Sequence, residues 1–465
     1  MTNPIVTVNV SQVVAPTPSA LQKKGAFISQ GGTTLTASST QLLTQSSDLT
    51  GILRAAAANT SLAWLAGTVT ATTTAPHGVT SGVEFEVTIA GATPTGYNGT
   101  FLATSTGAST FTYPLVADPG LETVPGTWQP NSAVQLQQMA TTFFAQGGTQ
   151  GVYVLELGYG TTAAITPAAQ GVALLTTYLA GTPNAFYAYL VPRYWDSDPA
   201  FLTYLAGFET NTSKTYFFVT TTTGNYANYT STMKDVFWEI EAATVPSTEF
   251  SCAASFYDLL NYSPSSTTKV TPFAYTYQYG VTAYPTIGNA STITAIQTAN
   301  GNIVGTGAEG GISNTILQWG TYADGNDVTY WYSVDWVQIN VDLDVANEVI
   351  NGSNTPSNPL YYNQAGINRL QAIAARTMTN GVSYGLVLGS VIQTAYDQNT
   401  FNAMLDAGSF AGLTVVNAVP FAAYNSANPS DYKTGKYGGF TIVYTPARGF
   451  KSIVFNVVVT QFVAA

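Results

Sequence analysis

Residues 5–11, IVTVNVS, alternate apolar and polar side chains with the period of a strand, and APTPSALQKKG follows as a proline-bearing linker. Together they predict an extended N-terminal arm over 1–30. A helical stretch is expected near 40–58. From 66 to 130 short alternating runs are separated by turn signals such as Tyr97-Asn98-Gly99, which predicts an inserted all-β module, a small sandwich or barrel.

The period then changes. GVYVLELG (151–158), AFYAYLVP (185–192), KTYFFVTTTT (214–223) and DVFWEIEA (235–242) are apolar strand candidates, and TPAAQGVALLTTYLAG and DPAFLTYLAGFE between them have helical spacing. Strand and helix in alternation predict a mainly parallel sheet with helices on its faces, formed by 31–65 and 131–329. A helix is expected from Ser247 with Glu249 in its first turn, where a negative charge favours the helix dipole. A smaller α+β unit follows over 330–448. Its clearest element is the helix NQAGINRLQAIAARTMTNG, which Asn363 can cap and Gly381 can end. Ile367, Leu370, Ala374 and Met378 share one side of it and Arg369 and Arg376 the other. In WVQINVDLDV, Val337, Ile339, Val341, Leu343 and Val345 keep strand period. GGFTIVYTPARGFKSIVFNVVVTQF reads as two strands about a turn at Pro446–Gly449, the second belonging to a terminal segment, 449–465.

That last strand changes the meaning of the composition. After Lys451 no charge occurs, and uncharged β-rich strands are templates for pairing with another chain. Charged residues are only 8% of the 465, far below the usual quarter, while apolar content is an ordinary 45%. Such a surface suits a protein covered by copies of itself, although a secreted β-rich protein shares it. The net charge of −11 is uneven: residues 1–60 carry +2, 61–360 carry −16 and 361–465 carry +3. A partner touching the basic ends is expected to be negative. The first 20 residues lack a basic n-region and a continuous apolar h-region, and no run is long enough to span a bilayer, so synthesis in a cytoplasm without membrane insertion is expected.

The supply of reactive residues argues against catalysis. His77, the single histidine, sits among turn glycines in APHGVTSG, with no sharp nucleophile turn to build a triad around it. One histidine and one cysteine, Cys252, exclude a disulfide framework and disfavour zinc. Cys252 itself, among Phe250, Ala253 and Ala254, reads as a small buried residue. Gly305–Gly310, GTGAEG, matches the dinucleotide fingerprint literally but does not join a first strand to a helix, and a loop is expected. Asp342 and Asp344 read as a solvated face rather than an ion site. The acidic balance, without a basic stripe, lacks the footprint of direct nucleic-acid binding. No enzyme activity and no cofactor are expected.

The order of features resembles the sheath protein of contractile phage tails. Particular stretches resemble a phage subfamily long labelled as of unknown function: TEFSCAASFYDLLNYSPSSTTKVTPFAYTYQYGVTAYP (248–285), VDWVQINVDLDVANEVING (334–352), YYNQAGINRLQAIAARTMTNGVSYG (361–385) and GFTIVYTPARGFKSIVFNVVVT (439–460). The likeness covers most of the chain outside 66–130, and that insert is similar to an immunoglobulin-like β-sandwich decoration module. In relatives the Asp-Trp pair opens a helix, so the resemblance implies helix after Trp336, against the strand period.

What the resemblance implies is a multidomain α/β and α+β subunit that stacks in hexameric rings, as a helical assembly, around a tail tube. Its further partners are a baseplate and a tail terminator. Contraction of this lattice drives the tube through a host envelope; the location is the virion, assembled in host cytoplasm. It further implies that the terminal arms complete a small sheet in neighbouring copies, through Ile5, Val6, Val8 and Val10 and through Ile453, Phe455, Val457 and Val459. Burying the last four contributes roughly 6–12 kcal/mol gross, at about 1.5–3 each. Arg369, Arg376, Lys433 and Lys436 are then the tube-facing charges, and Arg448 and Lys451 the flanks of the exchange. The alternative is a non-contractile surface or adhesion protein, a tail fibre or surface-layer subunit, which forms no annular polymer.

Overall fold

The computed structural model describes residues 21–208, 214–308 and 312–451. The chain divides into two compact units, one of residues 21–332 with the stretch from 447, the other containing 333–446. In the first, an eight-stranded sheet runs in the order β14-β13-β12-β11-β10-β1-β9-β2. Its strands are β1 (Gly25–Ser29), β2 (Ser39–Leu43), β9 (Val152–Glu156), β10 (Ala188–Leu190), β11 (Tyr216–Thr221), β12 (Val236–Ile240), β13 (Asn302–Ala308) and β14 (Ile312–Gln318). All neighbours from β9 through β1 to β13 pair in parallel, and antiparallel β2 and β14 close the two edges.

The central strands are apolar on both faces because helices cover both. Helices α1 (Asn131–Phe144) and α4 (Cys252–Asn261) meet one face, where Phe27 packs edge-on to Phe143 at 5.5 Å and Phe218 to Phe256 at 5.3 Å. On the other, α2 (Pro167–Gly181) and α3 (Pro199–Phe208) bury Leu175, Phe201 and Leu205 against Ala26, Ile28, Phe217 and Val219. Thr166 caps α2 through its hydroxyl, with Pro167 in the first turn. Helix α5 (Ala290–Thr298) buries Ile296 in the same core.

Where β1 and β9 end side by side, the buried carboxylate of Glu156 accepts from Ser29 Oγ (2.7 Å), Gly31 N (2.6 Å), Thr33 N (3.0 Å), Thr33 Oγ1 (2.7 Å) and Gly158 N (2.7 Å). Gly31 has φ +71°, and a Cβ there would overlap the Tyr159 ring, so only glycine fits this turn. The loop continues into pairing with the root of the inserted module: Thr34 N donates to Ile52 O and Arg54 N to Gly32 O.

That module is a closed six-stranded antiparallel barrel in the order β3-β4-β7-β6-β5-β8. The strands are β3 (Ala57–Leu65), β4 (Thr68–Thr73), β5 (Glu84–Ala90), β6 (Gly99–Gly107), β7 (Thr110–Pro114) and β8 (Thr127–Pro130). It is a barrel rather than an immunoglobulin-like sandwich, because the short β8 pairs with both β3 and β5 and closes the ring. His77 lies in its core rather than on a turn surface. It is fully buried, 5.7 Å from the Phe85 ring and edge-on to Phe111 and Trp128, with Nδ1 accepting from Val79 N.

The second unit takes residues 333–354 of the long helix α6 (Val328–Asn354), then α7 (Gln364–Ser383) and a three-stranded sheet of β16 (Ser390–Thr394), β17 (Leu413–Ala418) and β18 (Phe440–Val443). β16 and β17 are parallel; β18 is antiparallel to β17. β15 (Val387–Leu388) pairs with β19 (Thr445–Pro446), and three short helices, α8 (Gln398–Asp406), α9 (Phe421–Ala427) and α10 (Pro429–Thr434), fill the connections.

Several expectations need correction. The stretch 40–58 is not a helix: it holds β2, a 3₁₀ turn at Ser46–Gly51 and the start of β3, since its register with β9 satisfies the backbone better than an isolated polar helix. Helix α4 starts at Cys252 rather than Ser247, so Glu249 lies ahead of the helix, where its carboxylate accepts from Thr282 N, Thr282 Oγ1 and Ser251 Oγ. The Gly305 fingerprint is largely strand β13, not loop. After Trp336 the chain is helical, as the resemblance implied and the strand period did not.

Two stability measurements follow. Glu156→Gln replaces an acceptor-only group with one carrying N–H toward backbone donors. With charge-assisted bonds contributing about 1.5–3 kcal/mol each, it should lower urea stability by on the order of 3 kcal/mol. Glu239 lies fully buried beneath α4, its Oε2 accepting from Ser255 Oγ and its Oε1 without a hydrogen-bond partner among the described residues. Burial pushes this carboxyl up to about 8, reinforced by the negative charge of Glu241, Glu249 and Asp258. A carboxyl raised on folding binds more protons native than unfolded, so stability falls as pH rises from about 4.5 to about 8. Glu239→Gln should flatten that slope in denaturation curves at pH 5 and pH 8, with its gain confined to the higher pH.

Candidate assembly site

The second unit is built around α7. Asn363 accepts at the helix start from Gly366 N at 2.9 Å, and Ile367, Ala374 and Met378 are buried, as their spacing predicts. The helix passes Gly381 and ends at Ser383, because Leu386 N returns to the Gly381 carbonyl only after the final turn. Gln371 is the polar tie of this core: its Nε2 donates to Thr394 O (2.7 Å) on β16 and Val416 O (2.8 Å) on β17.

One side of this core is left open by the described residues. A groove of about 560 Å³ runs between α6, α7 and the sheet, lined by Val337, Val341 and Val345 of α6, Leu370 of α7, and Phe440 and Ile442 of β18. The β18 side chains are half-buried throughout, and among the described residues β18 pairs on one edge only, with β17. With respect to the described residues, the other edge of β18 lies open beside an apolar trough. An added strand would therefore find a hydrogen-bonding template and a place for its alternate side chains. The valines that read as strand period supply this wall: at spacings of four, Val337, Val341 and Val345 form one helical stripe. That spacing was the available signal for the groove.

The exchange residues Ile5, Val6, Val8, Val10, Ile453, Phe455, Val457 and Val459 lie outside the described residues. Of the four tube-facing candidates, Arg376, Lys433 and Lys436 are exposed. Lys433 and Lys436 flank an aromatic cluster in which Tyr432, 57% exposed, stacks on Tyr362 at 5.6 Å. Arg369 is instead engaged, donating to the Glu348 carboxylate and to Asn358 Oδ1 at 2.9 Å. Asp344 accepts from Thr377 Oγ1, which ties α6 to α7. Arg448 and Lys451 hold the chain to the first unit: Arg448 donates to Asn326 Oδ1 at 2.7 Å with its guanidinium 4.3 Å from the Tyr330 ring centre, and Lys451 Nζ donates to Gly325 O. Among the described residues no group of three or more His, Cys, Asp or Glu is placed to hold a metal ion, and no helix is long and apolar enough to cross a membrane.

No protein-family model and no curated protein matches this chain. Among solved structures it is similar to a chain in the cryo-EM structure of the anti-feeding prophage (AFP) baseplate, 6-fold symmetrised. The TM-score is 0.51 and the identity 11%, over 99% of this chain and 100% of that one. It is also similar to a chain of the AFP baseplate in contracted state, with TM-score 0.44, identity 10% and 99% of each chain covered. The first of these shows a shared fold across the whole chain, inserted module included.

Gln371→Leu removes two buried donors and keeps the volume. It should lower the stability of the second unit by about 1–3 kcal/mol in urea denaturation, leaving the barrel unaffected.

Proposed function

We propose that this chain is the structural subunit of a contractile sheath. It polymerises as stacked hexameric rings around a tail tube, bears on a baseplate and a terminator at its ends, and contracts to drive the tube through a host envelope. The observation that carries this reading is that, among the described residues, β18 pairs on one edge only and lies beside an apolar groove. Such an edge can take a further strand, and the chain carries two apolar, strand-patterned segments at its ends. The shared fold with a chain of a six-fold AFP assembly supports the same reading.

In this proposal residues 5–10 and 453–459 leave their own subunit and complete the sheet of a neighbour. A contact in which one surface receives and a different surface donates does not close on itself, and so builds rings and stacks rather than dimers. Arg376, Lys433 and Lys436, with Arg369, face the tube, whose outer surface is then acidic. Exposed charge pairs are weak and screened by salt, which lets the lattice slide or release. The supply of chemistry fits a structural role: the buried acids and the single thiol of the body are enclosed in its core.

Electron microscopy of the purified chain tests the reading: hollow polymers of stacked rings are expected, and only monodisperse particles across a range of salt would sink it. Ile442→Asp, which places a charge in the groove, should abolish polymers and leave circular dichroism of the soluble chain unchanged. Removal of residues 452–465 should do the same. Normal assembly of both variants would remove strand donation from the proposal.

A further inference from the structure

The first unit separates its exposed charges along the strand direction. All five lysines of residues 21–332 lie where parallel strands of the sheet begin. Lys23 and Lys24 directly precede β1, Lys214 precedes β11 and Lys234 precedes β12. Lys269 is in the loop after α4, and Lys23 Nζ reaches that loop at Ser263 Oγ (2.7 Å). Lys23, Lys24 and Lys269 are exposed, and among the described residues none of the five makes an ion pair. The acids near this edge are withdrawn from its surface. Asp235 and Asp327 are buried, Asp258 accepts from Gln278 Nε2, and Asp324 accepts from Asn326 and from Trp331 Nε1. Outside the described residues the side chains add two charges, Glu209 and Glu309.

The barrel is the reverse. No Lys or Arg occurs from Ala55 to Pro192, and the barrel carries Glu84, Glu86, Asp118 and Glu122. It is seated at the opposite edge of the sheet, where β1 and β9 end, and β3 leads from that seat to Leu65, roughly 26 Å at about 3.3 Å per residue. Two loops meet at this far end: Leu115 N donates to Gly67 O (2.9 Å) and Trp64 Nε1 to Leu115 O (2.8 Å). On them Leu65, Val116 and Leu121 are 78%, 92% and 88% exposed. Asp118 and Glu122 stand beside these side chains. They accept only from backbone, Gly120 N (2.8 Å) and Leu62 N (3.1 Å), so no cation among the described residues compensates their charge. Bare apolar side chains with a charged rim have the make-up of a contact surface.

We infer that the barrel tip of one copy docks on the lysine edge of another, with Asp118 and Glu122 facing Lys23, Lys24 and Lys269. Leu65, Val116 and Leu121 then lie on the aliphatic stems of the lysines, which cover apolar surface while their ammonium groups meet the acids. Charge complementarity selects a second copy as the occupant. The strands between the two ends are long enough to keep the fields apart: the six residues of β11 span roughly 20 Å, more than twice the Debye length of about 8 Å at physiological ionic strength. A unit that is acidic at one end and basic at the other matches itself head to tail, and a contact of that kind propagates rather than closing on a dimer. The inserted module thereby has a part in assembly. The contact uses neither β18 nor the chain ends, so it stands or falls apart from strand donation.

The test is carbodiimide cross-linking, which joins a lysine directly to a carboxylate, on a mixture of ¹⁴N- and ¹⁵N-labelled full chain at low salt. Mixed-label peptide pairs joining Lys23, Lys24 or Lys269 to Asp118 or Glu122 are expected, and their yield should fall about fivefold as salt is raised from ~50 to ~500 mM. Their absence, single-label pairs alone, or links from the barrel acids only to other lysines would each overturn the inference. Charge reversal supplies a second readout, in the Ile442→Asp chain so that strand donation does not contribute. Asp118→Lys with Glu122→Lys, and separately Lys24→Glu with Lys269→Glu, should each weaken self-association in sedimentation by about tenfold. An equal mixture of the two should recover it, because each supplies the charge that the other has lost. Lack of recovery between variants whose circular dichroism is unchanged would count against docking, and if either variant misfolds the cross-links of the native chain decide. Absence of ring polymers in microscopy, by contrast, would sink the sheath reading while leaving this result standing.

Discussion

One buried carboxylate organises the larger unit. Glu156 ends β9 beside the end of β1, at the place where doubly wound sheets leave a crevice for a ligand. Here the crevice is occupied by the chain. Five donors from Ser29, Gly31, Thr33 and Gly158 converge on the two oxygens, as they would on a bound anion. The same loop turns to pair with residues 52–54 and so sets where the barrel is rooted. Tyr159, three residues beyond Glu156, packs edge-on to Phe85 of the barrel at 5.9 Å, and Gln170 of α2 donates to Glu84 O at 3.1 Å. The Gly31–Gly32 turn thus acts as a structural bracket that joins the sheet to the root of the barrel.

The parts of the fold that were legible are those with strong local period. The four apolar runs between 151 and 242 became β9 to β12 because strands buried on both faces must be apolar throughout, and little else in a charge-poor chain looks like that. Helix 364–383 was legible through its cap and its one-sided stripe. The stretch 40–58 was not, since its partner β9 lies more than a hundred residues away and pairing overrode weak local preference. Barrel closure was likewise hidden: it depends on four residues, Thr127–Pro130, pairing on both edges, and a strand's neighbours are not written in its own pattern. Sequence order also placed Arg369 and Arg376 together on one helix face, but only the fold shows that Glu348 engages the first and leaves the second exposed.

The candidate groove was half legible. Val337, Val341 and Val345 could be counted as alternate or as every fourth residue, and the two countings imply opposite elements. The helix makes them one wall of a groove of about 560 Å³ beside β18 that is open rather than enclosed. An apolar lining left in contact with water costs stability until something covers it. An isolated second unit is therefore expected to be less stable than the same unit with an added strand, which is the thermodynamic basis for assembly in the proposed reading.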